Sequence, residues 1–185
     1  MLKVSYAAMT VLISAIWLAV RGIAALRQKR LDLRREGELL LVYLCLVVIV
    51  RFTFFPFFRV DGAIPPLVFD AAQAFPFRIN LLPFYYLFDY PELRNALLNL
   101  FGNTAMFIPV GVVWPLVFRR LDTHKKVIAA GAGLSLCIEI LQLPFFDRIS
   151  DIDDLILNSL GYLMGYGLFL LAKGIKHRPD RRKTA

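Results

Sequence analysis

Thiol and imidazole chemistry has almost no material in this chain. Its 185 residues hold two cysteines and two histidines. Cys45 and Cys137 both fall inside apolar runs, which excludes a disulfide framework and any Cys/His metal spacing. His124 and His177 stand among basic residues, so no Ser–His or Cys–His arrangement for nucleophilic catalysis emerges. Acid is scarce too, with 14 Asp and Glu against 22 Lys and Arg, and only 19% of residues are charged. No internal repeat and no low-complexity segment is visible, so the inverted-repeat design of many transporters has no basis here.

What the chain does have is apolar length. It is 58% hydrophobic, and five runs stand out, 4–20, 39–58, 96–118, 127–146 and 155–172. A bilayer core takes roughly 20 such residues per helix. Run 39–58 carries only Arg51, run 127–146 carries only Glu139, and the other three carry no charge. These runs predict an all-α fold, a polytopic membrane helical bundle with about five transmembrane helices. The first helix and a basic loop occupy 1–37, the main membrane domain 38–175, and a basic tail 176–185.

The net charge of +8 is distributed in a pattern. Arg21, Arg27, Lys29, Arg30, Arg34 and Arg35 lie between the first two runs. Arg119, Arg120, Lys125 and Lys126 lie between the third and fourth, and Lys173 onwards forms the tail. Basic residues in every other loop follow the positive-inside rule. They imply a multi-pass membrane protein, N-terminus outside and C-terminus cytoplasmic, with lipids rather than nucleic acid as partners. The first run carries its charge behind the apolar stretch rather than ahead of it, which favours a retained helix over a signal peptide.

Residues 59–95 are too apolar for a solvated loop and too broken by proline to span. They read as an interfacial or re-entrant outer loop, which needs burial in protein or a cavity to line. Tyr85, Tyr86, Phe88 and Tyr90 suit an aromatic belt at the membrane surface.

Polar residues inside the spans gather in one leaflet. Arg51 and Glu139 each sit seven residues before the outer end of their runs, roughly 10 Å deep at 1.5 Å per residue. Asn95, Asn99 and Asn103 recur every fourth residue on one face, and Glu139 and Gln142 share another. Asp151, Asp154, Asn158, Gly161 and Gly165 follow a three-or-four spacing. Opposite charges at one depth predict either an Arg51–Glu139 ion pair that fixes helix register or two groups that meet a ligand. Near Arg148, the aspartates Asp147, Asp151, Asp153 and Asp154 crowd one short loop, where Ser150, Asp151 or Asp153 is expected to cap the last helix. No recognised metal-ligand spacing accompanies them.

The motifs Arg78-x-Asn80-Leu81-Leu82-Pro83-Phe84, Asn99-Leu100-Phe101-Gly102-Asn103, Phe107-Ile108-Pro109-Val110-Gly111, Glu139-x-x-Gln142 and Arg148-x-x-Asp151-x-Asp153-Asp154 occur in that order. They continue into Leu155-Ile156-Leu157-Asn158-x-x-Gly161-x-x-x-Gly165. Together they resemble the VanZ-like family over roughly residues 51–172. The resemblance implies a small bacterial integral membrane protein of a family whose prototype is associated with teicoplanin resistance. It implies no settled reaction.

Two functions compete on this footing. In the first, an outward-facing site binds a lipid-linked or amphiphilic envelope ligand, such as a cell-wall precursor or a lipoglycopeptide. Its residues would be Arg51, Arg78, Asn80, Asn99, Asn103, Glu139, Gln142, Arg148, Asp151, Asp154 and Asn158. In the second, a membrane-embedded enzyme acts on a lipid-linked phosphate or wall precursor, with Glu139 or Asp151 as general base. The lack of a nucleophile lowers the enzyme reading, and neither function calls for a cofactor. A transporter ranks third, since one copy of five spans would have to oligomerise.

Overall fold

The computed structural model describes residues 2–29, 32–56, 59–70, 76, 78–85, 93–145 and 148–176. Tyr86, Phe88 and Tyr90 of the expected belt, the side chain of Asn95, Asp147 and the tail beyond Lys176 lie outside them. Five helices appear: α1 (Tyr6–Gln28), α2 (Leu33–Phe54), α3 (Leu93–Val117), α4 (His124–Gln142) and α5 (Ile152–Lys176). Four are long and apolar enough to cross a membrane. The exception, α4, is opened by His124, Lys125 and Lys126 and carries Glu139 near its end.

Local chemistry sets the helix ends. Ser5 Oγ accepts from Ala8 N at 3.1 Å, and Asp32 Oδ1 accepts from the amides of Arg34 and Arg35. Thr123 Oγ1 does the same for Lys126 N in α4. Each cap meets amides that a helix start leaves without partners. Two spans stop short of their predicted ends. α2 leaves the helix after Phe54, immediately before Pro56, and α4 ends at Gln142 ahead of Pro144. Proline disfavours helical backbone in the residue before it, and Phe55 is extended. Leu143 stays helical, so α4 ends instead because Pro144 has no N–H to continue the ladder.

The bundle is held chiefly by α3 on α5, with α2 against α3 and α4 against α5. Glycine makes the α3–α5 approach possible. A Cβ on Gly161 would stand 2.0 Å from Thr104 O, one on Gly165 2.0 Å from Ile108 O, and one on Gly111 2.0 Å from Tyr162 O. Between apolar helices in lipid, such backbone approach and van der Waals packing replace the hydrophobic drive available in water. Pro109 and Pro115 lie inside α3, which continues through both. Around this seam, Ile49, Phe55, Phe107, Val110, Val127 and Tyr162 form the buried centre. α1 buries none of its residues and leans on α2, where Ser14 Oγ and Tyr43 Oη lie 2.6 Å apart.

Two short sheets close one end of the bundle. β1 (Leu2–Val4) pairs antiparallel with β2 (Leu67–Phe69), Lys3 opposite Val68. β3 (Ile79–Asn80) pairs parallel with β4 (Ser150–Asp151), Asn80 opposite Asp151. The described part of the loop after α2 is therefore tied down twice, once to the N-terminal strand and once to the start of α5.

Candidate functional site

The polar residues of the spans do converge, and they sort into two sets by what they satisfy. The first set closes the C-terminus of α2. The last carbonyls of a helix have no partner within it, and inside a membrane water cannot supply one. Gln142 Nε2 donates to Thr53 O at 2.6 Å, reaching across from α4. Arg148 takes Phe54 O with both Nε and Nη2, at 3.0 and 2.6 Å. Arg51 Nη1 reaches on to Phe55 O and Pro56 O at 3.2 and 3.1 Å, with its guanidinium 5.6 Å from the Tyr6 ring centroid and 5.2 Å from that of Phe52. Cations at a helix C-terminus also complement its dipole.

The expected Arg51–Glu139 ion pair is therefore not formed. The early end of α2 leaves carbonyls within reach of Arg51, whose long stem carries its head up towards them. Glu139 is occupied elsewhere.

The second set closes the N-terminus of α5 and the loop before α3. Asp151 Oδ1 accepts from Asp153 N at 3.0 Å and so caps α5, one of the three expected cappers. Glu139 Oε2 accepts from Asp151 N at 2.9 Å, and Glu139 is itself only 4% exposed. Asn80 Nδ2 donates to Asp151 Oδ1 at 3.0 Å, while its own Oδ1 accepts from Leu82 N at 3.1 Å. Asp153 Oδ1 accepts from Phe84 N at 2.8 Å, where Phe84 holds a φ of 60°. Ser150 N donates to Arg78 O, and Asn103 Nδ2 donates to Asp154 Oδ1 across the α3–α5 seam. Carboxylates at the positive end of α5 are placed where the dipole favours them.

Of the predicted site residues, Asn80, Asn103, Glu139, Asp151 and Asp154 fall in this acidic set, and Arg51, Gln142 and Arg148 in the capping set. Asn158 joins them from below, its Nδ2 on Ser135 Oγ at 3.1 Å. Asn99 is half-buried one turn before Asn103 and takes part in none of the hydrogen bonds found among the described residues. Arg78 is exposed at the rim and enters through its backbone carbonyl. Three contributors were not anticipated. Ser135 sits four residues before Glu139 on the buried stripe Val127, Gly131, Ser135, Glu139, a spacing visible in the sequence. Asp153 was expected only as a cap. Thr53 acts through a backbone carbonyl, which no side-chain pattern reveals.

Capping does not use up everything. Among the described residues, Gln142 Oε1 and Asn158 Oδ1 are buried acceptors that find no partner. Trp114 Nε1 and Tyr162 Oη are also unpartnered, but their rings stack edge to face deeper in the α3–α5 seam. α4 and α5 also flank an open apolar groove of about 580 Å³, walled by Leu136, Leu155, Ile156 and Leu160 and not by Gln142, Ser135 or Asn158. Among the described residues, no group of three or more His, Cys, Asp and Glu side chains is disposed to hold a metal ion.

Comparison with known proteins agrees with this architecture. The chain is similar to Protein VanZ of Enterococcus faecium, 30% identical over 104 residues, which cover 56% of this chain and 58% of that protein. It thus spans less than two thirds of that relative's length. No solved structure matches. The family model for VanZ/LLP1 matches residues 40–173, from about two turns into α2 almost to the end of α5 and so across both helix-end sets. A membrane bundle of this order, matched over most of its length, belongs to the VanZ-like family.

Proposed function

We propose that this is an integral membrane protein of the bacterial cell envelope whose polar cluster, on the outer side of the membrane, binds the headgroup of an amphiphile. The ligand class is a lipid-linked wall precursor or a lipoglycopeptide, rich in hydroxyl and amide donors. The observation that carries the reading is the pair of buried acceptors, Gln142 Oε1 and Asn158 Oδ1, left over when both helix ends are capped. An unmet buried polar atom costs about 1–3 kcal/mol, and a bound donor removes that cost. The acid-rich surroundings of Glu139, Asp151 and Asp154 suit donors better than anions. The α4–α5 groove has the apolar lining for one hydrocarbon chain. A link to teicoplanin resistance rests on family membership alone.

Native mass spectrometry of the purified full-length protein tests this, with teicoplanin and a polyprenyl-linked wall precursor as probes. The wild type is expected to retain at least one probe. The double variant Ser135→Ala/Asn158→Leu removes the spare acceptor together with the hydrogen bond that Asn158 makes, so it is expected to lose the probe while its melting temperature changes little. Equal retention by both proteins overturns the proposal. If a probe is instead converted, and Glu139→Gln stops conversion but not binding, the enzyme reading takes its place.

A further inference from the structure

The opposite end of the bundle holds a second site. There α2 begins and α3 ends, and the two enclose a cavity of about 640 Å³. Arg34, Arg35, Arg119 and Arg120 line it, together with Asp32 and Glu38. Both acids already hold protein donors. Asp32 Oδ1 caps α2 through the amides of Arg34 and Arg35. Glu38 accepts from Arg35 Nη1 at 3.1 Å and lies 3.7 Å from Arg34 Nε. Arg35 is anchored further by Val117 O at 2.7 Å, which fixes its guanidinium in the wall. Arg119 and Arg120, in the turn after α3, are exposed and join no ion pair among the described residues.

Val117 and Phe118 give the same cavity an apolar floor. Spare guanidinium forks therefore face a concave space at the N-terminus of a 22-residue helix, with hydrophobic side chains beneath. Guanidinium geometry matches phosphate oxygens in pairs. Charge needed only for topology would not have to enclose a cavity. Arg27 and Lys125 lie at this end too and do not line it.

We infer that this cavity binds a phosphate-bearing anion, either the headgroup of an anionic phospholipid or a soluble phosphate of the same chemistry. The distribution of basic loops assigns this end to the cytoplasm, where anionic headgroups are abundant and basic pockets between helices recruit them.

Native mass spectrometry of the detergent-solubilised full-length protein separates the possibilities. The probes are dioleoyl phosphatidylglycerol, dioleoyl phosphatidylcholine and inorganic phosphate. The wild type is expected to prefer phosphatidylglycerol, and the double variant Arg119→Gln/Arg120→Gln to bind it about thirtyfold more weakly, the effect of neutralising two surface cations. Arg27→Gln/Lys125→Gln removes the same charge away from the cavity and is expected to bind as the wild type does. Equal affinity for the two lipids, with phosphate adducts that need Arg119 and Arg120, identifies the soluble source. Lipid and phosphate adducts that ignore Arg119 and Arg120, or fall equally in the control pair, overturn the inference. Both changed arginines are exposed in a turn, so loss of folding does not confuse the outcome.

Discussion

At the scale of single residues, the polar groups in these spans are explained first by backbone arithmetic. Each helix end carries unmatched carbonyls or amides, and inside a bilayer those must be met by protein. Arg51, Gln142 and Arg148 meet the end of α2, while Glu139 and Asp151 meet amides at the start of α5. Arg51 and Glu139 share no partner, so a double-mutant cycle of Arg51→Gln and Glu139→Gln should show coupling below about 0.5 kcal/mol. Arg51→Gln alone should still cost about 1–3 kcal/mol by stranding the carbonyls of Phe55 and Pro56. Thermal denaturation of the four proteins in detergent measures both quantities. A coupling of about 2 kcal/mol or more, on the order expected for a buried ion pair broken at either end, would restore the pairing that matched depths suggested.

At the scale of elements, the close crossing of α3 on α5 makes a sharper demand than any polar contact. A methyl group on Gly161 has no space, because the nearest atom is the backbone oxygen of Thr104 rather than a side chain that can turn away. Gly161→Ala should therefore push the helices apart and cost about 1–3 kcal/mol. Around Gly167 a Cβ would meet nothing within 4 Å, so alanine there should be tolerated or gain up to about 1 kcal/mol from better helix propensity. Heating the two variants and following the monodisperse fraction by size exclusion compares them. Matching curves would mean that the two helices can separate at this crossing without cost. The small-residue spacing of Gly161 and Gly165 is legible in the sequence, and so are four of the five expected spans and a cap of α5 at Ser150, Asp151 or Asp153. The partners are not. Gln142 and Arg148 bond carbonyls that exist as free groups only because α2 stops at Phe54; Pro56 marks that stop within the apolar run 39–58, but nothing in the run says which side chains meet the carbonyls. Asn80 finds Asp151 across 71 residues through a two-residue parallel pairing, too short to leave any periodic trace.

At the scale of the whole molecule, the fold has two unlike ends. One gathers the N-terminal strand, the described loop segments between α2 and α3, and the acidic start of α5. The other gathers the start of α2, the end of α3 and the start of α4, where Tyr166 Oη meets His124 Nδ1 at 2.8 Å. The β1–β2 ladder makes the sidedness of its two strands a single fact, since Leu2 and Phe69 cannot pair from opposite faces of a bilayer. Cysteines placed at Lys3 and Asp61 should therefore react together with a membrane-impermeant maleimide, and a cysteine at Asp122 should react only from the other side. Asp122 is an exposed partner of Lys126 at 2.7 Å, so replacing it costs little. Native Cys45 is buried but Cys137 is exposed on α4, so each variant is made in a Cys137→Ser background. The basic loops add direction to this pairing. Lys3→Cys and Asp61→Cys should label in intact cells, and Asp122→Cys only after lysis. Labelling of Lys3→Cys and Asp61→Cys from opposite sides would break the ladder and the bundle built on it. Labelling of both only after lysis would keep the bundle, invert it, and move the polar cluster to the cytoplasmic face.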